Sequence, residues 1–204
     1  MNRKRLAALL LAPVAAASLS GCGINSIPTA DENVKARWAD VEADFQRRAN
    51  LIPNIVATVQ GAAASEKNIL IGVTQARADA TKIHVTGDQL SDPAAMQRFE
   101  EAQNRVSGTL LQVRQLQEAY PQLQSQGNFK TLITELEGTE NRIAIAIRDY
   151  NGAVQAYNTR IRTFPDVIGA KVFYGAKPKV TYQAKTQNAD VAPPVSFDSN
   201  AAGH

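Results

Sequence analysis

Apolar residues recur at alternating steps of three and four along most of the chain, which indicates helices with one buried face. The first stripe begins near Asp31 and includes Val34, Trp38, Val41, Phe45, Ile52, Val59, Ile69, Val73, Ala80 and Ile83. Pro53 should kink or divide this stripe, because proline lacks an amide hydrogen and clashes with the preceding turn. We therefore predict a shorter helix over residues 31–49 and a long one over 51–86, ended by Gly87-Asp88.

Two further stripes follow after a clear start signal. Asp92-Pro93 places a capping carboxylate before a proline at the first helical position. The second stripe comprises Met96, Phe99, Gln103, Val106, Leu110, Val113, Gln117 and Tyr120, and it stops at Pro121. The third follows Gly127-Asn128 and comprises Phe129, Leu136, Ile143, Ile147, Tyr150, Val154, Tyr157, Ile161 and Phe164, before Pro165.

These stripes define the predicted fold class. Short connections favour antiparallel neighbours, so residues 31–165 should form an all-α, elongated antiparallel helical bundle. It would have three long helices plus a shorter N-terminal helix. Residues 166–204 lose the apolar period, which predicts a short helix over 166–174 and then an extended or disordered tail.

The start of the chain has the layout of a secretory signal peptide. A basic block at residues 3–5 precedes an apolar run over 6–19, which as a helix would span about 21 Å, short of a ~30 Å hydrocarbon core. Leu19-Ser20-Gly21-Cys22 then resembles a bacterial lipobox. That resemblance implies cleavage between Gly21 and Cys22 and lipid on Cys22, the only cysteine in the chain.

This interpretation makes residues 1–21 a lipoprotein signal peptide and residues 22–30 a lipidated tether; the alternatives are an ordinary signal peptide or an uncleaved anchor. Cys22 would place the chain in a bacterial cell envelope, facing the periplasm. Gly23, rather than Asp, follows the cysteine. Under the enterobacterial sorting rule, this favours the outer over the inner membrane of a Gram-negative cell.

The apparent basicity of the chain comes from the signal peptide. The full sequence has 22 Lys and Arg against 19 Asp and Glu, with a pI near 9.1. Loss of Arg3, Lys4 and Arg5 leaves 19 basic and 19 acidic side chains. We therefore expect no nucleic-acid partner. The basic stretch Lys171–Lys185 is interpreted as a solvated tail, with contact to anionic lipid headgroups as the alternative.

Candidate catalytic and metal-binding residues are scarce. The histidines are His84 and His204, and the one cysteine is assigned to lipid. The carboxylates of Glu100-Glu101 and of Glu135, Glu137 and Glu140 are typical of a solvated helical face. The prediction is therefore no catalytic residue, no metal and no cofactor.

The polar series near the end of the third stripe is the main candidate site. Tyr150, Tyr157 and Phe164 are seven residues apart, as are Asn151 and Asn158. This strip could bind a partner along the bundle, or it could pack in the core with the amides fixing the register between helices. Arg47, Arg48, Asn50 and Asn54 are the candidate partners of these amides across the bundle.

Two sequence blocks carry a family resemblance. The first runs from Trp38-Ala39-Asp40-Val41-Glu42 into Gln46–Val56, and the second comprises Arg148-Asp149-Tyr150-Asn151, Tyr157-Asn158 and Phe164-Pro165. Together they resemble the LemA family of bacterial membrane-anchored proteins, over roughly residues 31–180. The resemblance implies an elongated helical bundle held at a membrane by its N-terminus, and it implies little about mechanism. Many members begin with an uncleaved transmembrane helix and a Tyr-Asn pair, where this chain has a lipobox and Gly23-Ile24-Asn25.

These observations favour a non-enzymatic envelope lipoprotein whose bundle is an interaction or scaffold module for an envelope protein. The alternative is a hydrolase or metal-dependent enzyme with a site between the Arg47–Asn54 and Tyr150–Asn158 blocks. A third possibility is a spacer that sets a distance from the membrane. A deep polar pocket between the two blocks would favour the enzyme, and a packed seam would favour the scaffold.

Overall fold

The computed structural model describes residues 25–183, and those residues contain helices and no strand. Long helices are α1 (Ser26–Ala62), α3 (Pro93–Ala119) and α5 (Gly127–Arg160). Shorter ones are α2 (Lys67–Ala80), α4 (Pro121–Gln124) and α6 (Asp166–Val172), with 3-10 turns at Ala64–Glu66 and Gly87–Ser91. The predicted all-α bundle of three long helices and a shorter one is confirmed. The shorter helix is the second in the chain, not the first.

Helix α1 continues through Pro53, so the two predicted helices over 31–49 and 51–86 are wrong. Proline cannot donate to the carbonyl of Ala49 four residues earlier. The Arg77 side chain of α2 supplies the missing donor, with its Nε 2.6 Å from the Ala49 oxygen. The Pro53 side chain is exposed, and the helix therefore continues until Ala62.

The ends of this region also differ from the prediction. Helix α1 begins at Ser26, because Ile27 is buried against the C-terminal part of the chain, so residues 26–30 are helical instead of tether. Helix α2 ends at Ala80, and a turn and an irregular stretch lead to the 3-10 turn at Gly87–Ser91. Trp38 Nε1 donates to the carbonyl of Val85 at 2.8 Å and fastens this connection to α1.

Helices α1 and α5 are antiparallel neighbours, whereas α3 runs parallel to α1, with residue 38 near 99 and residue 48 near 107. Residue 26 of α1 contacts residue 160 of α5, and residue 48 contacts residue 140. Helix α3 starts as predicted at Asp92-Pro93, where the Asp92 carboxylate accepts from the Ala94 amide at 2.9 Å. Within residues 25–183 no helix combines the length and apolarity needed to cross a membrane.

The apolar core is divided into two clusters by a polar layer. One cluster surrounds Trp38, Phe45, Phe99 and Tyr150, near the end of the bundle where α1 starts. The other surrounds residues such as Ile55, Val106, Phe129 and Leu136, toward the opposite end. Between them lie the side chains of Arg48, Gln103 and Thr139, all buried although polar.

The contact between Arg77 and Ala49 predicts a specific coupling to Pro53. Replacing Arg77 by Met should lower the free energy of unfolding by about 1–3 kcal/mol, because a partly buried carbonyl loses its donor. In a Pro53→Ala background the loss should be smaller, since the backbone amide of the introduced alanine can then donate to Ala49. Urea denaturation of the four proteins measures both losses. Equal losses in the two backgrounds would contradict this explanation of the uninterrupted helix.

Candidate functional site

The candidate asparagines on α5 bind the backbone of the C-terminal segment, which comprises residues 176–183. Asn158 Nδ2 donates to the Lys179 carbonyl at 2.8 Å, and the Lys179 amide donates to Asn158 Oδ1 at 2.8 Å. Asn151 repeats the pattern at Tyr182, with distances of 3.0 and 2.9 Å. Each carboxamide therefore pairs with one residue of the segment through both of its hydrogen-bonding groups.

The seven-residue spacing of the asparagines matches the repeat of an extended peptide. Seven helical residues rise about 10.5 Å, and three extended residues span about 10 Å. Asn151 and Asn158 thus meet residues 182 and 179, with the segment antiparallel to α5. Tyr150 adds a third contact, because its hydroxyl donates to the Val180 carbonyl at 2.7 Å.

The segment is held on its other side by the 3-10 turn before α3 and by α3 itself. The Val180 amide donates to the Leu90 carbonyl at 2.8 Å, and the Gln183 amide donates to Glu100 Oε1 at 2.6 Å. Lys179 Nζ lies 3.0 Å from Asp31 Oδ1 of α1. The segment therefore joins α3 to α5, and it also contacts α1.

Tyr182 places the one aromatic ring of the segment in the core. It is 5% exposed and lies beside the rings of Phe45 and Phe99, with centroid distances of 6.0 and 6.4 Å. Burial raises the pKa of the Tyr182 hydroxyl well above its usual value, and nearby Glu100 adds to this while Arg48 opposes it. Burial likewise raises the pKa of Tyr150.

Arg48 is the centre of the polar layer and is 1% exposed. Its NH1 donates to Ser107 Oγ at 2.9 Å and to Glu140 Oε1 at 3.2 Å. Its NH2 donates to the side-chain oxygen and the carbonyl of Gln103, at 2.7 and 3.2 Å. The guanidinium also lies over the Phe45 ring, 4.9 Å from its centroid. One α1 side chain therefore binds both α3 and α5.

The structure separates the other predicted members of the strip. Arg47 pairs with Asp44 on its own helix, and Asn50 accepts from Gln46. Asn54 is exposed and Phe164 is 81% exposed in the turn after α5, so neither belongs to the buried seam. The predicted pairing of Arg47, Arg48, Asn50 and Asn54 with the α5 amides is therefore wrong, because the amides bind the C-terminal segment instead. Gly21 and Cys22 lie outside the described residues.

Sequence reasoning missed the partners of the strip. Lys179, Tyr182, Gln103 and Glu140 were not identified as its contacts. The interpretation of Lys171–Lys185 as a solvated tail is wrong at Lys179 and Tyr182, which are bound against the bundle, and Glu140 pairs with buried Arg48 instead of lying on a fully solvated face. The C-terminal segment has no helical period, and it contributes mainly backbone groups, which every sequence possesses. The heptad spacing of Asn151 and Asn158 was the one available signal.

Comparison with known proteins identifies the family. The model of the LemA family matches residues 37–197, most of the chain. The chain belongs to the LemA family. This confirms the resemblance drawn from the two sequence blocks.

Three magnetosome proteins are similar to this LemA-family protein. Magnetosome proteins MamQ 1 and MamQ 2 of Paramagnetospirillum magneticum (strain AMB-1) are each 27% identical over 157 residues. Magnetosome protein MamQ of Magnetospirillum gryphiswaldense is 26% identical over 157 residues. Each match covers 69% of this chain and 58% of the relative. The chain therefore matches little more than half the length of these relatives.

The LemA-family bundle has a cavity of about 260 Å³ between α1, α2 and α3. Its polar lining includes Glu42, Arg48, Arg77, His84 and Gln103. Burial raises the pKa of Glu42, while the Val85 backbone and His84 partly offset the effect. The cavity touches the first sequence block and no residue of the Tyr150–Asn158 block. Within residues 25–183, no three His, Cys, Asp or Glu side chains are grouped to hold a metal ion.

The hydrogen bonds of Asn151 and Asn158 to the C-terminal segment predict that the segment is released when either asparagine is replaced. Asn151→Leu removes two hydrogen bonds and should lower the free energy of unfolding by about 1–3 kcal/mol. Hydrogen exchange at the Tyr182 amide and tryptic cleavage after Lys179 should both accelerate, while α5 stays protected. Asn54→Leu on the exposed face of α1 is the matched control. If hydrogen exchange at the Tyr182 amide is unchanged in Asn151→Leu, Asn151 does not hold the segment.

Proposed function

We propose that this LemA-family protein is a non-enzymatic envelope lipoprotein, anchored by lipid on Cys22, whose bundle is an interaction or scaffold module. Membership of the family and similarity to magnetosome proteins support association with a membrane. The lipobox supports the lipid anchor and a periplasm-facing location, with the outer membrane favoured over the inner in a Gram-negative cell.

The observation that carries the scaffold role is the way the polar strip is used inside the fold. Asn151 and Asn158 bind the chain's own C-terminal segment, and Arg48 binds the neighbouring helices. These groups rigidify a rod whose longest helix, of 37 residues, is about 55 Å long. A rigid rod with one lipidated end suits a protein that presents binding surfaces at a set distance from a membrane.

The enzyme alternative placed a site between the Arg47–Asn54 and Tyr150–Asn158 blocks. In the described part of the chain, the second block contacts Trp38 and the C-terminal segment in a packed seam. The 260 Å³ cavity lies on the other side of α1, towards α2. A packed seam in this place favours the scaffold.

Substitution of Cys22 tests the proposed lipid anchor directly. Cys22→Ser should abolish incorporation of labelled palmitate and leave the signal peptide uncleaved, because the thiol is the acceptor of the first lipid. Wild-type protein should carry the label, start at residue 22 and partition into detergent. Ser18→Ala, in the apolar run, is the control for disturbance of the signal. A wild-type protein that starts elsewhere, or that carries no acyl chain, would contradict the anchor.

The scaffold role predicts protein partners on the exposed faces of the bundle. A photoreactive amino acid at Leu111 of α3 or Ile145 of α5, exposed by 54% and 43%, should crosslink to envelope proteins in intact cells. The same photoreactive group at Val154, which is fully buried, is the negative control. Mass spectrometry identifies the adducts. Adducts with lipid alone, at every exposed position tested, would contradict an interaction module.

A further inference from the structure

Exposed apolar side chains are concentrated at one end of the bundle. Of the eight large hydrophobic residues exposed in the described part of the chain, five fall within residues 164–174. They are Phe164, Ile168, Val172, Phe173 and Tyr174, exposed by 81, 54, 69, 66 and 42%. The other three, Ile71, Leu111 and Ile145, lie singly on different helices. We call the group of five the end patch.

Helix α6 turns its larger apolar side chains outward. Gly169 and Ala170 face the bundle and are buried, with a Cβ at position 169 lying 3.5 Å from Ile27 Cδ1. Ile168 and Val172, four residues apart, share the opposite and exposed face. A helix on the surface of a water-soluble bundle usually has the reverse distribution. The outer face of α6 is therefore suited to an apolar environment.

The end patch lies beside the start of α1. Ser26 Oγ donates to Asp166 Oδ2 at 2.9 Å, and Arg160 NH1 donates to the Ser26 carbonyl at 3.1 Å. Gly175, at φ +53°, allows the chain to turn back from α6 into the C-terminal segment and leaves Phe173 and Tyr174 at this end. The patch is thus on the part of the bundle from which the N-terminus emerges.

The length of the tether sets the distance between this end and any lipid on Cys22. Cys22 and Asn25 are three residues apart, which is at most about 11 Å of chain. The headgroup region of one leaflet is about 5–8 Å thick. An acyl chain on Cys22 would therefore hold the end patch against the headgroups.

The segment that carries the end patch has an excess of basic side chains, which suits an anionic lipid surface. Residues 160–177 contain the basic residues Arg160, Arg162, Lys171 and Lys177 and a single acid, Asp166. Asp166 is already paired with Arg160, at 3.7 Å. Acids of neighbouring elements, Asp31, Glu32 and Asp88, line a depression beside Tyr174, and the first two are paired with Lys35. Apolar side chains flanked in sequence by basic ones are typical of segments that lie in a membrane interface.

We propose that the end patch inserts into the lipid bilayer beside the acylated Cys22 and so fixes the orientation of the bundle. The proposal rests on the proposed lipid anchor. It assigns a second membrane contact, made by α6 and its flanking turns. The bundle would then stand on the membrane at a defined angle, set by two contacts instead of one.

Depth-dependent quenching tests the insertion in the full-length, membrane-processed protein. Phe173→Trp reports on the end patch, and Leu111→Trp, similarly exposed but far along α3, is the matched control. The native Trp38 is 2% exposed and gives a constant background. The proteins are reconstituted in vesicles of phosphatidylcholine and phosphatidylglycerol, with and without a 6,7-dibromo lipid. We expect strong quenching for Phe173→Trp and wild-type quenching for Leu111→Trp.

A serine variant separates insertion from simple proximity. Ile168→Ser/Val172→Ser, both on the exposed face, should remove most of the quenching of the tryptophan introduced at position 173, while circular dichroism stays unchanged. Equal quenching at positions 173 and 111, or none at 173, would overturn the proposal. So would a dimer that the serine pair dissociates while the introduced tryptophan remains unquenched, because the patch would then be an interface between two copies.

The mass of the N-terminal peptide keeps this test distinct from that of the anchor. If the peptide carries no acyl chain, the proposed function fails, and binding to anionic vesicles is then measured with the unacylated wild-type protein. Binding of that protein should fall at least about tenfold in the Ile168→Ser/Val172→Ser background, which corresponds to a loss of about 1.4 kcal/mol of binding free energy. Equal binding of both proteins would overturn the patch independently of the lipid.

Discussion

The buried guanidinium of Arg48 is the interaction on which the arrangement of the long helices depends. Helices α1 and α5 pack closely, whereas α3 is joined to them in the middle of the bundle through this side chain and its partners Gln103, Ser107 and Glu140. A buried charge is unfavourable unless it is paired and hydrogen-bonded. Only one register of the three helices brings all these acceptors to Arg48, so other registers would bury an uncompensated charge.

The polar layer also explains why the core is divided. Apolar side chains on the two sides of Arg48 along the bundle form separate clusters. One is rich in aromatic side chains and the other in aliphatic side chains. The aromatic cluster is closed by Tyr182 of the C-terminal segment, and the aliphatic cluster is covered by α2. Helix α2 is only 14 residues long because it covers one half of the bundle, while extended segments cover the other.

Much of this architecture could be predicted from the apolar period. The stripes identified α3, α5 and the apolar face of α1, and Asp92-Pro93 located the start of α3, because these signals are local. The continuity of α1 through Pro53 could not be predicted, since its compensation comes from Arg77, 28 residues away from Ala49. The C-terminal segment was missed for a related reason: its hydrogen bonds are made by backbone groups, and its apolar side chains are too few to show a period.

The C-terminal segment also determines when the aromatic cluster, at the end of the bundle where α1 starts, can finish folding. Ser26 pairs with Asp166, 140 residues later, and Phe45 packs against Tyr182. Contacts so distant in sequence close slowly, because the intervening loop entropy is lost before they form. A chain emerging from its N-terminus into a new compartment would have helices available early, yet its aromatic cluster would lack Tyr182 until the C-terminal segment arrived. If Cys22 is lipidated as we propose, it would thus reach the membrane surface while the helical domain was still incomplete.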